Sequence, residues 1–294
     1  MSSTQENLYV FNRNTVRAHR DRAARTLHSV ADLLEDLGQR LLDRLDDVNR
    51  SFTMALDLGG RGSIAPALQE RGVNVISSDL SLRMAQKAGG QPICADEEYL
   101  PFAPSSFDLV VASLSLHWAN DLPGVLRQIR HVLKPDGLFL ASIPVLPTLA
   151  PLRTALTETE SALRDGVSAR VSPFPMLRDC AGLMQRAGFA LPVIDQEIVD
   201  LRYRSGLALI RDLRAAGETS ALHLRERGIP PAALFPLTMA KLEENGDFAM
   251  PLHLAMISGW APAASQPQPL KPGEFTTPLS DILDSLDKSQ DQSD

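Results

Sequence analysis

Apolar positions at 27, 30, 34, 37, 41, 45 and 48 recur at steps of three and four, which predicts a long amphipathic helix near the start of the chain. From 51 to 145 the pattern then alternates between short apolar runs and helical spacing. The runs at 54–56, 73–77, 92–95, 107–113 and 138–143 read as strands. The spacing over 63–70, 82–87 and 122–133 reads as helices, and Lys134-Pro135-Asp136-Gly137 supplies turn residues before the last strand. Strand and helix in alternation predict an α/β fold, a parallel sheet with helices on both faces. Ligands of such sheets bind outside the carboxyl ends of the strands, which places Asp57, Asp79, Asp96 and residues 113–118 along one edge.

Further on, helical stretches are predicted over 149–163, 176–187 and 205–215, the second after the turn Ser172-Pro173-Phe174-Pro175. Glu158 and Glu160 are expected to face solvent. Partial alternation over 193–203 predicts a strand added to the sheet, and 252–260 a last strand beside it. The organisation that follows is a disordered polar start at 1–7, an N-terminal helical cap at 8–50 and a main domain at 51–260. Within that domain, 148–251 form the substrate-side elements. A proline-rich linker and a short acidic amphipathic helix occupy 261–294. The helix, at 277–287, reads either as folded back on its own domain or as a docking helix for a partner's groove.

Composition narrows the classes. The chain has 294 residues, 44% hydrophobic and 22% charged, as in ordinary globular proteins. A net charge of −7 argues against a general nucleic-acid binder. Cys94 and Cys180 stand alone in sequence and are expected to be buried thiols in a reducing compartment. The histidines form no ligand-like pair, so no metal is expected. The apolar run 138–150 is interrupted by Pro144 and Pro147, too short to span a bilayer, and the N-terminus lacks a signal core. The expectation is a cytoplasmic protein. The basic stretch Arg13, Arg17, Arg20, Arg22 and Arg25 is read first as a solvated helix face. The sharper alternative is an arm that covers a ligand and binds an acidic group.

The chemistry centres on Asp57-Leu58-Gly59-Gly60-Arg61-Gly62, a strand that breaks into a glycine turn before a helix. Glycines let backbone approach a ligand closely, and a helix N-terminus offers unpaired N–H groups. Asp79 closes the next strand about 20 residues later, where a carboxylate can take ribose hydroxyls. With an acid inside the turn, this order resembles the opening motif of class I S-adenosylmethionine-dependent methyltransferases rather than a dinucleotide fingerprint. The turn is one residue shorter than that motif, and Arg61 and Ser63 stand where glycines are common.

The segments 94–102, 107–110, 113–118 and 133–137 are similar to the same superfamily's pattern, in its order. The resemblance implies a Rossmann-like class I methyltransferase sheet and an S-adenosyl-L-methionine site of Asp57, Gly59, Gly60, Gly62, Asp79, Leu80, Asp96, Glu97 and Ser113. In it Asp79 would bind the ribose, Leu80 flank the adenine, Asp96 take the adenine amine, and Asp57 and Gly59 lie near the methionine. More closely, Phe11-Asn12-Arg13, residues 95–102, 113–123, 172–174, 186–189 and 257–260 resemble the methyltransferase-like assembly factors of respiratory complex I. That family is implicated in hydroxylating an arginine of an NADH dehydrogenase subunit, so the implied partner is such a subunit. The family usually has Asp where Asn12 stands, and a Gly-Gly-Asp-Thr-Leu segment where this chain reads Val145-Leu146-Pro147-Thr148-Leu149. The malonyl-acyl-carrier-protein carboxyl methyltransferases of biotin synthesis resemble the first half less closely.

Substrate-side candidates are Asn12, Arg13, His117 and Trp118. His117 is a weak candidate for proton transfer, and no other catalytic residue is indicated. Methyl transfer can proceed by positioning alone. Hydroxylation needs an oxygen-activating group, for which no two-His-one-carboxylate set is present, so that chemistry rests on the resemblance. Three readings stand: a methyltransferase, an arginine-modifying assembly factor, or a non-catalytic scaffold. An arginine substrate calls for an acidic pocket rim, a carboxylate substrate for a basic one.

Overall fold

A computed structural model describes residues 9–226 and 228–266. The helix predicted at 277–287 and the polar start at 1–7, expected to be disordered, lie outside the described residues. The central sheet takes strands β1 (Met54–Leu58), β2 (Asn74–Asp79), β3 (Gln91–Cys94), β4 (Phe107–Ser113), β5 (Leu133–Pro144), β6 (Ala190–Val199) and β9 (Leu252–Trp260), in the order β3-β2-β1-β4-β5-β9-β6. The first five run parallel. β9 is antiparallel to both β5 and β6. The strand order reverses between β1 and β4, the place where open α/β sheets bind ligands.

Side chains alternate across the sheet with period two, and this builds two cores. Leu109 and Val111 of β4 join Leu138 and Leu140 of β5 under α2 (Ala31–Leu42) and α3 (Ile64–Glu70), with Leu37, Leu41, Ile64 and Leu68 fully covered. Val110, Ala112 and Phe139 point to the other face and meet Ile129 of α5 (Leu122–Val132) and Met184 of α7 (Leu177–Ala187). All seven residues of β4 are buried, so a near-continuous apolar run was the right signal for it. Helix α4 (Leu82–Lys87) follows β2 and is capped by Ser81, whose hydroxyl accepts from the Met84 amide.

Around the far end, α6 (Ala150–Leu163), α8 (Gly206–Ala215), α9 (Leu234–Leu242) and the small ribbon β7 (Arg202–Tyr203) with β8 (Phe248–Ala249) enclose a separate cluster of Leu152, Leu156, Leu209 and Met250. Among the described residues no helix is long and apolar enough to cross a membrane.

Four expectations need correction. The long helix over 27–48 is broken: α2 spans only twelve residues, between 3-10 turns at Leu27–Val30 and Asp43–Leu45. The apolar spacing survives the breaks because each piece presents its leucines to the same sheet face. The residues 134–137 do not merely precede a strand. β5 already pairs with β4 at Leu133, and a register shift with Asp136 at φ 62° absorbs the turn. Glu160 does not face solvent, since Arg164 and Arg170 fold over its carboxylate and bury it completely. Cys94 is exposed while Cys180 is buried, because β3 is the sheet's edge strand and carries few apolar neighbours.

Candidate functional site

The carboxyl ends of β1, β2, β3 and β4 bring the predicted residues to one edge. Asp57 in β1 is fully buried, and neither carboxylate oxygen makes a hydrogen bond of good geometry among the described residues. Burial, with the charge of Asp79 beside it, pushes its pKa up to about 8. Gly60 is what allows this placement, since a Cβ there would lie 2.1 Å from Asp57 Oδ2. Gly59, at φ 74°, lies so close to Ser115 that a Cβ would meet the serine Cβ at 2.2 Å. The Ser115 hydroxyl donates to the Leu58 carbonyl at 2.7 Å and locks the turn against the loop after β4. Gly62 takes φ 92°.

Asp79 ends β2, 1% exposed, and accepts from the Ser81 amide at 2.7 Å. Asp96, Glu97 and Glu98 follow β3. The helix α1 (Arg13–Ala23) reaches across all of them. Arg20, itself 1% exposed, donates from Nη1 to Asp79 Oδ2 at 3.2 Å and to Glu97 Oε1, and from Nη2 to the Ser115 carbonyl at 3.4 Å. Arg13 donates to both oxygens of Asp96 (3.3 and 2.5 Å), to Glu97 Oε2 and to the Trp118 carbonyl (3.1 Å). Against burial, Arg20 and Arg13 hold the Glu97 carboxyl below its usual range, whereas burial and Glu97 raise Asp79 in spite of Arg20. The solvated-face reading of the basic stretch therefore fails for Arg13 and Arg20, though Arg17, Arg22 and Arg25 are exposed. Periodicity could not reveal this, because a buried arginine breaks the apolar pattern and its partners are 59 to 105 residues away.

The other predicted residues take varied places. Leu80 packs against the Phe11, Val16 and Trp118 cluster. Ser113 faces Ser142 across two strands (3.4 Å between hydroxyls), and Ser115 is the serine that meets the glycine turn. Asn12 is the N-cap of α1, its side chain accepting from the Thr15 amide at 3.0 Å, so its part is structural.

His117 and Trp118 converge on a residue that no motif signals. Glu218 lies past the end of α8, where its Oε2 takes His117 Nε2 at 2.8 Å and Trp118 Nε1–H at 3.0 Å. Its Oε1 pairs with Arg61, which also donates to the carbonyls of Leu114 (2.9 Å) and Ala216 (3.1 Å). The arginine that replaces a common glycine thus anchors a half-buried carboxylate. Although burial raises it, Arg61 and His117 hold the Glu218 carboxyl far below the usual range. Among the described residues His117 Nδ1 is enclosed without a hydrogen-bond partner. This cluster borders a cavity of about 1200 Å³. Leu33, Leu37, Leu152, Phe174 and Leu213 contribute to its apolar lining. The arginines of the lining, Arg22, Arg61, Arg170, Arg211, Arg214 and Arg225, outnumber the acids Asp212, Glu218 and Glu226. Among the described residues no group of three His, Cys, Asp or Glu side chains could hold a metal ion.

A methyltransferase domain model matches residues 56–141, the span from β1 through most of β5. Among curated proteins the chain is 35% identical over 295 residues to the mitochondrial arginine-hydroxylase NDUFAF5 of Danio rerio, covering 95% of this chain and 91% of that one. It is 32% identical to the malonyl-[acyl-carrier protein] O-methyltransferase of Methylovorus, covering 91% of this chain and 96% of the relative. That second likeness is wider than the first half expected from sequence. A Bacillus halodurans C-125 structure assigned to the methyltransferases superposes at TM-score 0.51 with 12% identity, over 77% of this chain and 99% of its own, a likeness of fold.

S-adenosyl-L-methionine is the cofactor of this fold class. The acceptor set fits it: orphaned Asp57 beside a glycine turn, then Asp79 and Asp96 at successive strand ends. The guanidinium groups of Arg13 and Arg20 rest on those same acids. With motif order, strand order and nearly the whole length in agreement, the chain belongs to the family of the arginine-hydroxylase NDUFAF5, within the class I S-adenosyl-L-methionine-dependent methyltransferase superfamily.

Proposed function

We propose that this protein is an S-adenosyl-L-methionine-binding enzyme that modifies a protein substrate during assembly of respiratory complex I, an arginine of an NADH dehydrogenase subunit being the target. The observation that carries the reading is likeness to NDUFAF5 over 95% of the chain, which includes the elements outside the methyltransferase core. Asp79 and Asp96 would hold the ribose and the adenine amine, with Asp57, Gly59, Gly60 and Gly62 on the methionine side. When bound, the cofactor supplies an electron-poor methyl group. The chain's own residues do the rest: Phe174 and Trp118 wall the cavity, Glu218 fixes the His117 ring, and Arg61 fixes Glu218. The protein's place is the cytoplasm in this proposal, against relatives named mitochondrial, and cell fractionation checks it.

A second reading has its own support. The arginine-rich cavity rim suits a carboxylate, and a malonyl-[acyl-carrier protein] O-methyltransferase is similar over nearly its full length. One experiment separates the two. The full chain is incubated with S-adenosyl-L-methionine and either an isolated NADH dehydrogenase subunit or a malonyl thioester of acyl-carrier protein, and products are read by mass spectrometry. A mass gain on a subunit arginine supports the first reading, and a methyl ester on the thioester supports the second. Cofactor binding with neither product would leave a scaffold.

A further inference from the structure

We propose that helix α1 is an internal competitor for the cofactor edge: Arg13 and Arg20 occupy Asp96, Glu97 and Asp79, and S-adenosyl-L-methionine enters as these guanidinium groups leave. This rests on the cofactor reading above and adds what the chain itself does before binding.

Three observations carry it. The first is that the acids are already engaged. Asp79 spends one oxygen on the Ser81 amide and the other on Arg20, and both oxygens of Asp96 accept from Arg13. A ribose or an adenine amine that binds there competes with a guanidinium for the same oxygens.

The second is that the engagement is incomplete. Arg20 Nε is buried without a partner, and so are both oxygens of Asp57. Buried polar groups in this state cost free energy. The arrangement therefore suits replacement.

The third is where α1 is otherwise attached: besides Asp21 on the Ser81 hydroxyl and Phe11 on the Asn120 side chain, it is tied to the loop that carries Glu218. Its buried residues are Val16, His19, Arg20 and Ala23, two of them polar. Its start joins the loop after α8 through an isolated bridge between Phe11 and Leu222, the Asn12 amide on the Ala221 carbonyl (2.8 Å) and the His223 amide on the Val10 carbonyl (2.8 Å). His19 meets the Thr219 carbonyl at 3.1 Å, and a Cβ at Gly217 would lie 3.2 Å from the Ala23 Cβ. That loop carries Glu218, the partner of His117. When α1 shifts, the carboxylate that orients His117 shifts with it, so cofactor entry and the cavity wall are mechanically linked.

The test is hydrogen–deuterium exchange on the full chain with and without S-adenosyl-L-methionine, together with calorimetric affinities for wild type, Arg13→Ala, Arg20→Met and Arg20→Lys. Ligand should speed exchange in residues 13–23 and 217–223. Arg13→Ala and Arg20→Met should bind about tenfold more tightly or better, since the competent fraction limits the apparent affinity. Arg20→Lys, which keeps the charge, should stay near wild type. Binding with α1 protection unchanged or increased overturns the proposal and leaves the cofactor reading standing. Weaker binding by Arg13→Ala, with a cooperative thermal transition retained, overturns it too. Absence of binding in wild type and all folded variants removes both. If Arg20→Met fails to fold, the exchange data and Arg13→Ala decide alone.

Discussion

Asp57 and Glu218 are two carboxylates whose environments pull them in opposite directions. Asp57, with a pKa near 8 in the folded chain against 3.8 as the reference value, keeps its proton longer when folded. Between those values the native state binds more protons than the unfolded one, so stability falls as pH rises through the window. Asp57→Asn should flatten the decline of Tm from about pH 5 to pH 8, read by thermal denaturation in parallel buffers. Glu218 has the opposite sign. Its carboxyl is depressed below 4.5, so its contribution is present at neutral pH and is lost as pH falls below the unfolded value. Glu218→Gln should destabilise the fold by about 1–3 kcal/mol at pH 7, because Arg61 is left buried beside a neutral partner, and should remove that acid sensitivity. Equal Tm profiles for Glu218→Gln and wild type across the acid range would refute the assignment.

At the scale of elements, the two faces of the sheet bear different duties. Leu41 of α2 has no exposed surface and lies among Leu37, Leu109 and Leu138, so Leu41→Ala should cost about 2–5 kcal/mol by chemical denaturation. Cofactor affinity of the folded fraction should be untouched, since α2 holds none of the edge acids. Helix α1 behaves otherwise. Asn12→Ala removes its cap and should cost only about 1 kcal/mol, and because α1 is the competitor, the same change should tighten cofactor binding. A cap mutant that is less stable and binds less well would count against the competitor role. The helix α1 also shows why an arginine-rich stretch resists reading in isolation: Arg17 and Arg20 differ by one turn fraction, yet one is solvated and the other sealed.

In the whole molecule the loop at 113–118 meets both regions: Ser115 touches the glycine turn and Arg20, while His117 and Trp118 line the large cavity, whose described lining includes none of Asp57, Asp79 and Asp96. The two sets of residues predict different losses. His117→Ala should lower turnover on the true substrate by at least about tenfold while S-adenosyl-L-methionine affinity stays within about twofold, whereas Asp79→Ala should abolish cofactor binding. Turnover kinetics beside calorimetry reads both at once.

Amino-acid order by itself determined the alternating elements, the parallel core of the sheet and the row of acids at its carboxyl edge. Those depend on local period and on connectivity, which a chain carries in short windows: Met54–Leu58 running into Gly59-Gly60-Arg61-Gly62 is legible in nine residues. The later helices Leu177–Ala187 and Gly206–Ala215 and the strand Leu252–Trp260 were legible on the same ground, whereas the strand read over 193–203 is Ala190–Val199, with Arg202–Tyr203 in the separate ribbon. What only the tertiary structure decided are contacts between residues far apart in sequence. Arg20 on Asp79, Arg61 on Glu218, and Glu218 on His117 join segments 59 to 157 residues apart, and no spacing rule encodes such pairs. A buried charge is settled by the partner that the fold brings to it, and until the chain has closed, an arginine bound for the interior looks the same as one bound for water.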